Sequence, residues 1–237
     1  MWFVLVFLAL FVLFCIYLDA KGKKQRQKSI KEIDEYVKQL GDDIRVVVND
    51  GRNLFYVDDV TQTYGIDKSG KKYNFDDINS VSTHKGGLTI QQGDGGFIEI
   101  GKTINNLNIM SQWDINSILV EVQKPIKYKL SRRLEANGIT PRAIFDCSGS
   151  LWGCDLDSRV FFTTKGGISF YNFSDFLGAT VEDPPELKGM DAAAIIHLRV
   201  KSECDLSGEF EYDIYFNEKN GAYFGMIDMI KGIKNRR

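Results

Sequence analysis

Tyr73-Asn74-Phe75-Asp76-Asp77-Ile78 reappears 98 residues later as Tyr171-Asn172-Phe173-Ser174-Asp175-Phe176. At that offset, with no gap, Gly51 falls on Gly149, Asp59 on Asp157, Leu54 on Trp152, and Val46-Val47 on Ile144-Phe145. Matched punctuation on both sides of the motif reads as an internal duplication.

Each copy resolves into the same order of elements. In the first, β-rich stretches run near 44–49, 53–58, 61–66, 71–75, 78–83, 87–91 and 96–100. They are separated by turn-forming clusters such as Asn49-Asp50-Gly51, Lys68-Ser69-Gly70, Lys85-Gly86-Gly87 and Gly93-Asp94-Gly95-Gly96. A helix is expected over about 111–123, with Ile115, Ile118, Leu119 and Val122 on one face, a Ser111 cap and Pro125 as its stop. The second copy carries longer late strands. Ile196, Leu198 and Val200 alternate with His197, Arg199 and Lys201, and Phe210, Tyr212, Ile214 and Phe216 alternate with Glu209, Glu211 and Asp213. The hairpin Glu203-Cys204-Asp205-Leu206-Ser207-Gly208 joins them, and a helix from about 221 to 234 closes the chain. Short helices over 28–40 and about 126–137 precede the copies.

This order resembles the pleckstrin-homology-like superfold, a bent β-sandwich with one open end closed by a C-terminal helix. The resemblance is carried by Tyr73, Asn74, Phe75 and Asp77 with Tyr171, Asn172, Phe173 and Asp175, and by the element count. It implies a bacterial or prophage membrane-anchored protein with tandem PH-like domains. Phosphoinositide recognition is not implied, because that subset carries basic residues in the first hairpin, which here holds Asn49, Asp50 and Arg52 in one copy and Cys147, Ser148 and Ser150 in the other. The expected fold class is mainly β with capping helices (α+β): an N-terminal transmembrane helix, then two PH-like repeats, each ending in an amphipathic helix. The boundaries are 1–19 for the anchor, 20–41 for a basic juxtamembrane segment and helix, 42–124 for repeat 1, 125–139 for a basic linker and 140–237 for repeat 2.

The anchor is read from Trp2 to Leu18, which holds no charged residue and spans roughly 25 Å as a helix. A cleaved signal would carry its positive charge before the apolar run, and a lipoprotein signal would place small residues before Cys15. Neither pattern is present. Lys21, Lys23, Lys24, Arg26, Lys28 and Lys31 follow, so the positive-inside rule predicts an inner-membrane, single-pass protein with its N-terminus outside and its domains cytoplasmic. These six side chains are the candidate membrane-surface contacts.

Of 237 residues 43% are hydrophobic and 26% charged, which excludes a disordered or collagenous chain. The net charge of −2 hides a segregation: residues 32–230 carry 20 basic against 31 acidic side chains. Nucleic-acid binding is disfavoured for a body of that sign. Cys147, Cys154 and Cys204 have no C-x-x-C spacing and no nearby His, so neither zinc nor a disulfide framework is indicated. His84 and His197 show no catalytic partner in the sequence, and Asp77 and Asp175 read as turn acceptors. No catalytic, cofactor-binding or metal residue is assigned.

The expected function is a non-enzymatic, membrane-tethered interaction or scaffold module that binds an unidentified protein partner. The alternatives are a tethered hydrolase using a Cys or Asp site, a lipid- or peptide-sensing module, and an exported ligand-binding domain with a Cys147–Cys154 disulfide.

Overall fold

In the computed structural model, residues 2–84, 86–101, 109–182, 193–202, 208–216 and 218–237 are described, with side chains from Leu10 onward. The chain divides into two units, 1–75 and 76–237. The hairpin residues Glu203–Ser207, including Cys204, and Lys85 lie outside the described residues.

The first unit is built on one long helix, α1 (Trp2–Leu40), and four short strands. These are β1 (Ile44–Asn49), β2 (Leu54–Asp58), β3 (Thr63–Gly65) and β4 (Tyr73–Asn74), antiparallel in the spatial order 1-2-3-4. Ile33 and Val37, one turn apart on α1, are buried with Leu54 and Tyr56 of β2. The helix expected over 28–40 is therefore the end of a continuous 39-residue helix.

Among the described residues no helix is long and apolar enough to cross a membrane. This overturns the reading of Trp2–Leu18 as a transmembrane anchor. It also overturns the single-pass topology, the inner-membrane location with cytoplasmic domains, and the membrane as a partner. Helix α1 runs unbroken into Asp19 and the basic residues. The side chains of Trp2–Ala9 lie outside the described residues.

The second unit begins with β5 (Ile78–His84), β6 (Gly87–Gln92) and β7 (Phe97–Ile100), an antiparallel three-stranded meander. Helix α2 (Gln112–Ala136) packs on β5 and β6. Ser111 caps it by accepting the Asp114 N–H at 3.1 Å. Pro125 does not stop this helix: α2 runs through it, and the two helices expected over 111–123 and 126–137 are one. Its buried stripe explains why. Ile115, Ile118, Val122, Ile126, Leu130 and Leu134 continue the 3–4 spacing across Pro125 and are all buried. That burial outweighs a proline penalty of about 3 kcal/mol.

A four-stranded sheet follows: β8 (Ala143–Cys147), β9 (Ser150–Asp155), β10 (Val160–Thr163) and β11 (Ser169–Asn172). A 3-10 turn at Phe173–Asp175 leads into β12 (Phe176–Glu182), β13 (Ala194–Lys201) and β14 (Glu209–Phe216), and α3 (Gly221–Arg236) ends the chain. One core joins these parts: Trp152 and Phe161, Ile196 and Leu198, Tyr212 and Ile214, and Met226, Ile230 and Ile233 of α3. Asn220 caps α3, accepting the Ala222 N–H at 3.0 Å.

The protein is thus mainly β, with four antiparallel sheets and three helices among the described residues. The two copies match element for element, down to a β-bulge at Ile78/Ser80 that recurs at Phe176/Gly178. The ungapped offset of 98 needs a correction. Asp58 faces Thr63 as Asp155 faces Val160, so the β2–β3 hairpin aligns on β9–β10 at 97. Gln62 and Arg159 both turn through positive φ, and their carbonyls accept the N–H of Phe75 and Phe173. One extra residue between β10 and β11 restores 98 at the Tyr-Asn-Phe motif.

Candidate functional site

β5–β7 is two-faced because its strands alternate. Val81, Leu88, Ile90, Ile98 and Ile100 are buried on one side. Ser80, Ser82, Thr89, Gln91 and Phe97 share the other, as the pairings Ser80↔Gln91, Ser82↔Thr89 and Gln91↔Phe97 require. That polar face lines a groove of about 470 Å³, whose other wall is formed by Phe210, Glu211, Tyr212, Asp213 and Tyr215 of β14. Phe97 and Phe210 stand 68% and 43% exposed.

A turn between β8 and β9 holds the two walls in place. The Thr83 N–H donates to the Ser148 carbonyl at 3.0 Å, and the Ser148 hydroxyl donates to the Tyr215 carbonyl at 2.7 Å. From α2, the buried Gln123 amide reaches Asp146 Oδ2 at 2.7 Å and the Gly149 carbonyl at 3.0 Å. Ser148 itself is left-handed at φ 52°, so these bonds fix a turn that a serine adopts at some cost.

Lys165 also lines the groove. Its ammonium donates to the Asp213 carbonyl and sits 5.5 Å from the centre of the Tyr215 ring. Burial lowers its pKa, against the pull of Asp213 and Cys147. Burial, with Asp146 alongside, pushes the Cys147 thiol up to about 12. A thiolate nucleophile at neutral pH is therefore disfavoured there. Cys154 is raised too, first by burial. Both thiols are free, four rungs apart in the β8–β9 ladder.

Beside the groove lies a cluster that sequence reasoning missed. His197 was expected to lack a partner, yet its Nδ1 is 2.7 Å from Asp213 Oδ1 and 3.8 Å from Glu211 Oε1. Its Nε2 is 3.4 Å from Glu182 Oε2. The hydrogen bond to Asp213 raises the His197 pKa; burial opposes it, and Glu182 and Glu211 add to the rise. The signal was present in the two alternating strands. A hairpin folded about 203–208 pairs 201 with 209, and hence His197 with Asp213.

Several of the remaining expected residues make contacts within their own unit. Lys21, Lys23, Lys24, Arg26, Lys28 and Lys31 are exposed on α1. Lys23 pairs with Asp19 at 2.7 Å, Lys28 with Glu32 at 3.7 Å, and the Arg26 Nε donates to the Asp50 carbonyl at 2.7 Å. In the basic stretch expected as a linker, Lys129 donates to the Asp76 and Ile78 carbonyls and Arg133 to that of Ile168. Tyr73 and Phe75 pack on Tyr64, Tyr171 stacks on Phe161, and Phe173 is buried. The Asp175 carboxylate accepts the Asn172 N–H at 2.9 Å in a capping box. Asn74 and Asp77 are exposed. His84 ends β5 opposite Gly87.

No protein-family model, curated protein or solved structure matches the chain.

Proposed function

We propose that the protein is a non-enzymatic binding module that takes an extended, basic segment of a partner protein into the groove between the polar face of β5–β7 and β14. One observation carries this reading: the groove combines an open, hydrogen-bonding face with two exposed aromatic rings, Phe97 and Phe210. Serine, threonine and glutamine side chains satisfy the main chain of a visiting strand. Exposed aromatics provide the anchors on which binding energy concentrates. Glu211 and Asp213 on the wall favour lysine and arginine in the visitor over acidic residues.

The element order of 143–236, four strands, three strands and a closing helix about one core, supports a PH-like reading of this part of the chain. In that reading the groove is a surface on the sandwich rather than a headgroup pocket.

The test is a titration of isotope-labelled full-length protein, in chelator, with peptides selected from a randomised library. Basic, extended peptides should shift the amides of Ser80–Ser82, Gln91 and Phe97, and Phe97→Ala with Phe210→Ala should weaken binding at least tenfold. Selected peptides that bind equally well to that double variant would overturn the assignment.

A further inference from the structure

We propose that His197, Glu211 and Asp213 form a divalent metal site that takes Zn2+ through the imidazole Nδ1 and one oxygen from each carboxylate. His197 and Asp213 are directly opposed across β13–β14, and Glu211 lies two rungs further along β14, on the same face. The three donor atoms lie within 4.8 Å of one another. Separations of 2.7 and 3.8 Å from Nδ1 bracket the spacing of about 3.3 Å that neighbouring ligands adopt around a tetrahedral zinc ion. Small side-chain rotations on two paired strands close that difference.

A second feature, outside the donor set, points the same way. Glu182 lies on the far side of the ring, 3.4 Å from Nε2. Once Nδ1 gives up its proton, a carboxylate that accepts from Nε2–H keeps the Nδ1 lone pair directed at Asp213 and Glu211. This carboxylate–histidine–metal arrangement orients histidine ligands and raises their basicity. The nearby cations are engaged elsewhere: Lys165 donates to the main-chain carbonyl of Asp213, and Arg199 pairs with Glu209 at 3.9 Å. One nitrogen and two oxygens with open positions suit zinc, nickel or manganese better than calcium, which takes six to eight oxygens. On binding, Zn2+ takes the place of any proton held between Nδ1 and Asp213, and that proton passes to the buffer.

The experiment is a calorimetric titration of Zn2+ into full-length protein, free of any polyhistidine tag and stripped with chelator. Buffers of different ionisation enthalpy report proton release. One equivalent should bind, and His197→Ala and Asp213→Asn should abolish that site. Glu182→Gln should keep it but weaken it about 10–100-fold. His84→Ala should leave it unchanged. X-ray absorption should show nitrogen and oxygen neighbours and no sulfur. Absence of binding, retained binding in His197→Ala, or a sulfur shell would each overturn the site. Circular dichroism checks each fold, and Glu211→Gln, at a half-exposed side chain, gives the same decision if His197→Ala misfolds. The outcome is independent of peptide binding, which is read in chelator on Phe97 and Phe210.

Discussion

The two copies place a helix on the same face of their first sheet, and they solve the packing beneath it in opposite ways. In the first, Ile33 and Val37 of α1 meet Leu54 and Tyr56. In the second, Leu130 and Leu134 of α2 meet Leu151 and Phe162. The helix positions and the leucine correspond at an offset of 97; the aromatics do not. Tyr56 lies across Gly65 of the neighbouring strand, whereas Phe162 lies across Gly153. Since Tyr56 corresponds to Gly153 and Gly65 to Phe162, the large and small residues have changed strands. What persists is the volume of the pair. A Cβ added to Gly65 would come 2.1 Å from the Tyr56 ring, and one added to Gly153 2.6 Å from that of Phe162. Each glycine is therefore the seat of the ring opposite.

That swap can be broken, and the effect should be the largest in the molecule. Tyr56→Ala and Phe162→Ala should each cost about 3–5 kcal/mol, read by chemical denaturation followed with probes in each unit. The sharper experiment rebuilds one copy in the image of the other. Tyr56→Gly with Gly65→Phe should be more stable than either single change, with a coupling of about 1–3 kcal/mol. Additive losses would show that the two pairs are unrelated solutions.

A second correspondence concerns the polar tether from each helix to the first hairpin of its copy. Arg26 donates to the Asp50 carbonyl, and Gln123, again 97 residues later, donates to the Gly149 carbonyl. The chemistry matches but the burial differs, since Gln123 is 2% exposed while Arg26 is in solvent. Gln123→Ala takes this donor from the buried Gly149 carbonyl and should cost about 1–3 kcal/mol; Arg26→Ala exposes its carbonyl to water and should cost less than about 1 kcal/mol. Equal losses would remove the role assigned to burial.

How much of this could be read in advance follows from what each feature depends on. The succession of strands along the chain and the repeat depend on local pattern, and alternation with turn residues exposed them; the same pattern marked a turn at Asp77 and Asp175 without showing that it is a 3-10 turn that begins at the Phe. The one-residue slip from 98 to 97 was hidden because Gly51/Gly149 and Asp59/Asp157 match at 98 by sequence while the strand ladders align at 97. Pro125 was misread because a local penalty was weighed without the stripe from Ile115 to Leu134, which only tertiary burial makes decisive. The apolar start of α1 was weighed by composition without the unbroken helix that carries it into charged residues. At the candidate site the order reversed. His197, Glu211 and Asp213 were all visible as the polar face of two strands, and only the step of folding that hairpin to find its register was missing. Glu182 and the groove were out of reach, because they require β12 and the β5–β7 face to be placed in three dimensions.

The smallest expected differences lie in the aspartates that start the two equivalent turns. Asp155 is held down to about 2, first by the Thr140 N–H, then by the Ser158 hydroxyl and turn amides. Asp58 is also lowered, but its leading partner is Lys72 at 2.8 Å, followed by the Thr61 amide. A carboxylate whose folded pKa lies below its unfolded 3.8 stabilises above that value, and the contribution fades as pH falls toward the folded pKa. Both units should therefore lose stability on acidification below about pH 4, and Asp155→Asn should flatten that slope in the second unit, read by hydrogen exchange of β9 and β10. Salt separates the two. Lys72 stands partly in solvent, so 1 M salt screens its pull, and Lys72→Met should change stability by no more than about 1 kcal/mol. The amides that hold Asp155 are hydrogen bonds within the turn and lose little to screening. High salt should thus reduce the acid sensitivity of β2 and β3 and leave that of β9 and β10 in place. A matching salt response in both would mean that Asp58, like Asp155, is held by its turn and not by the lysine.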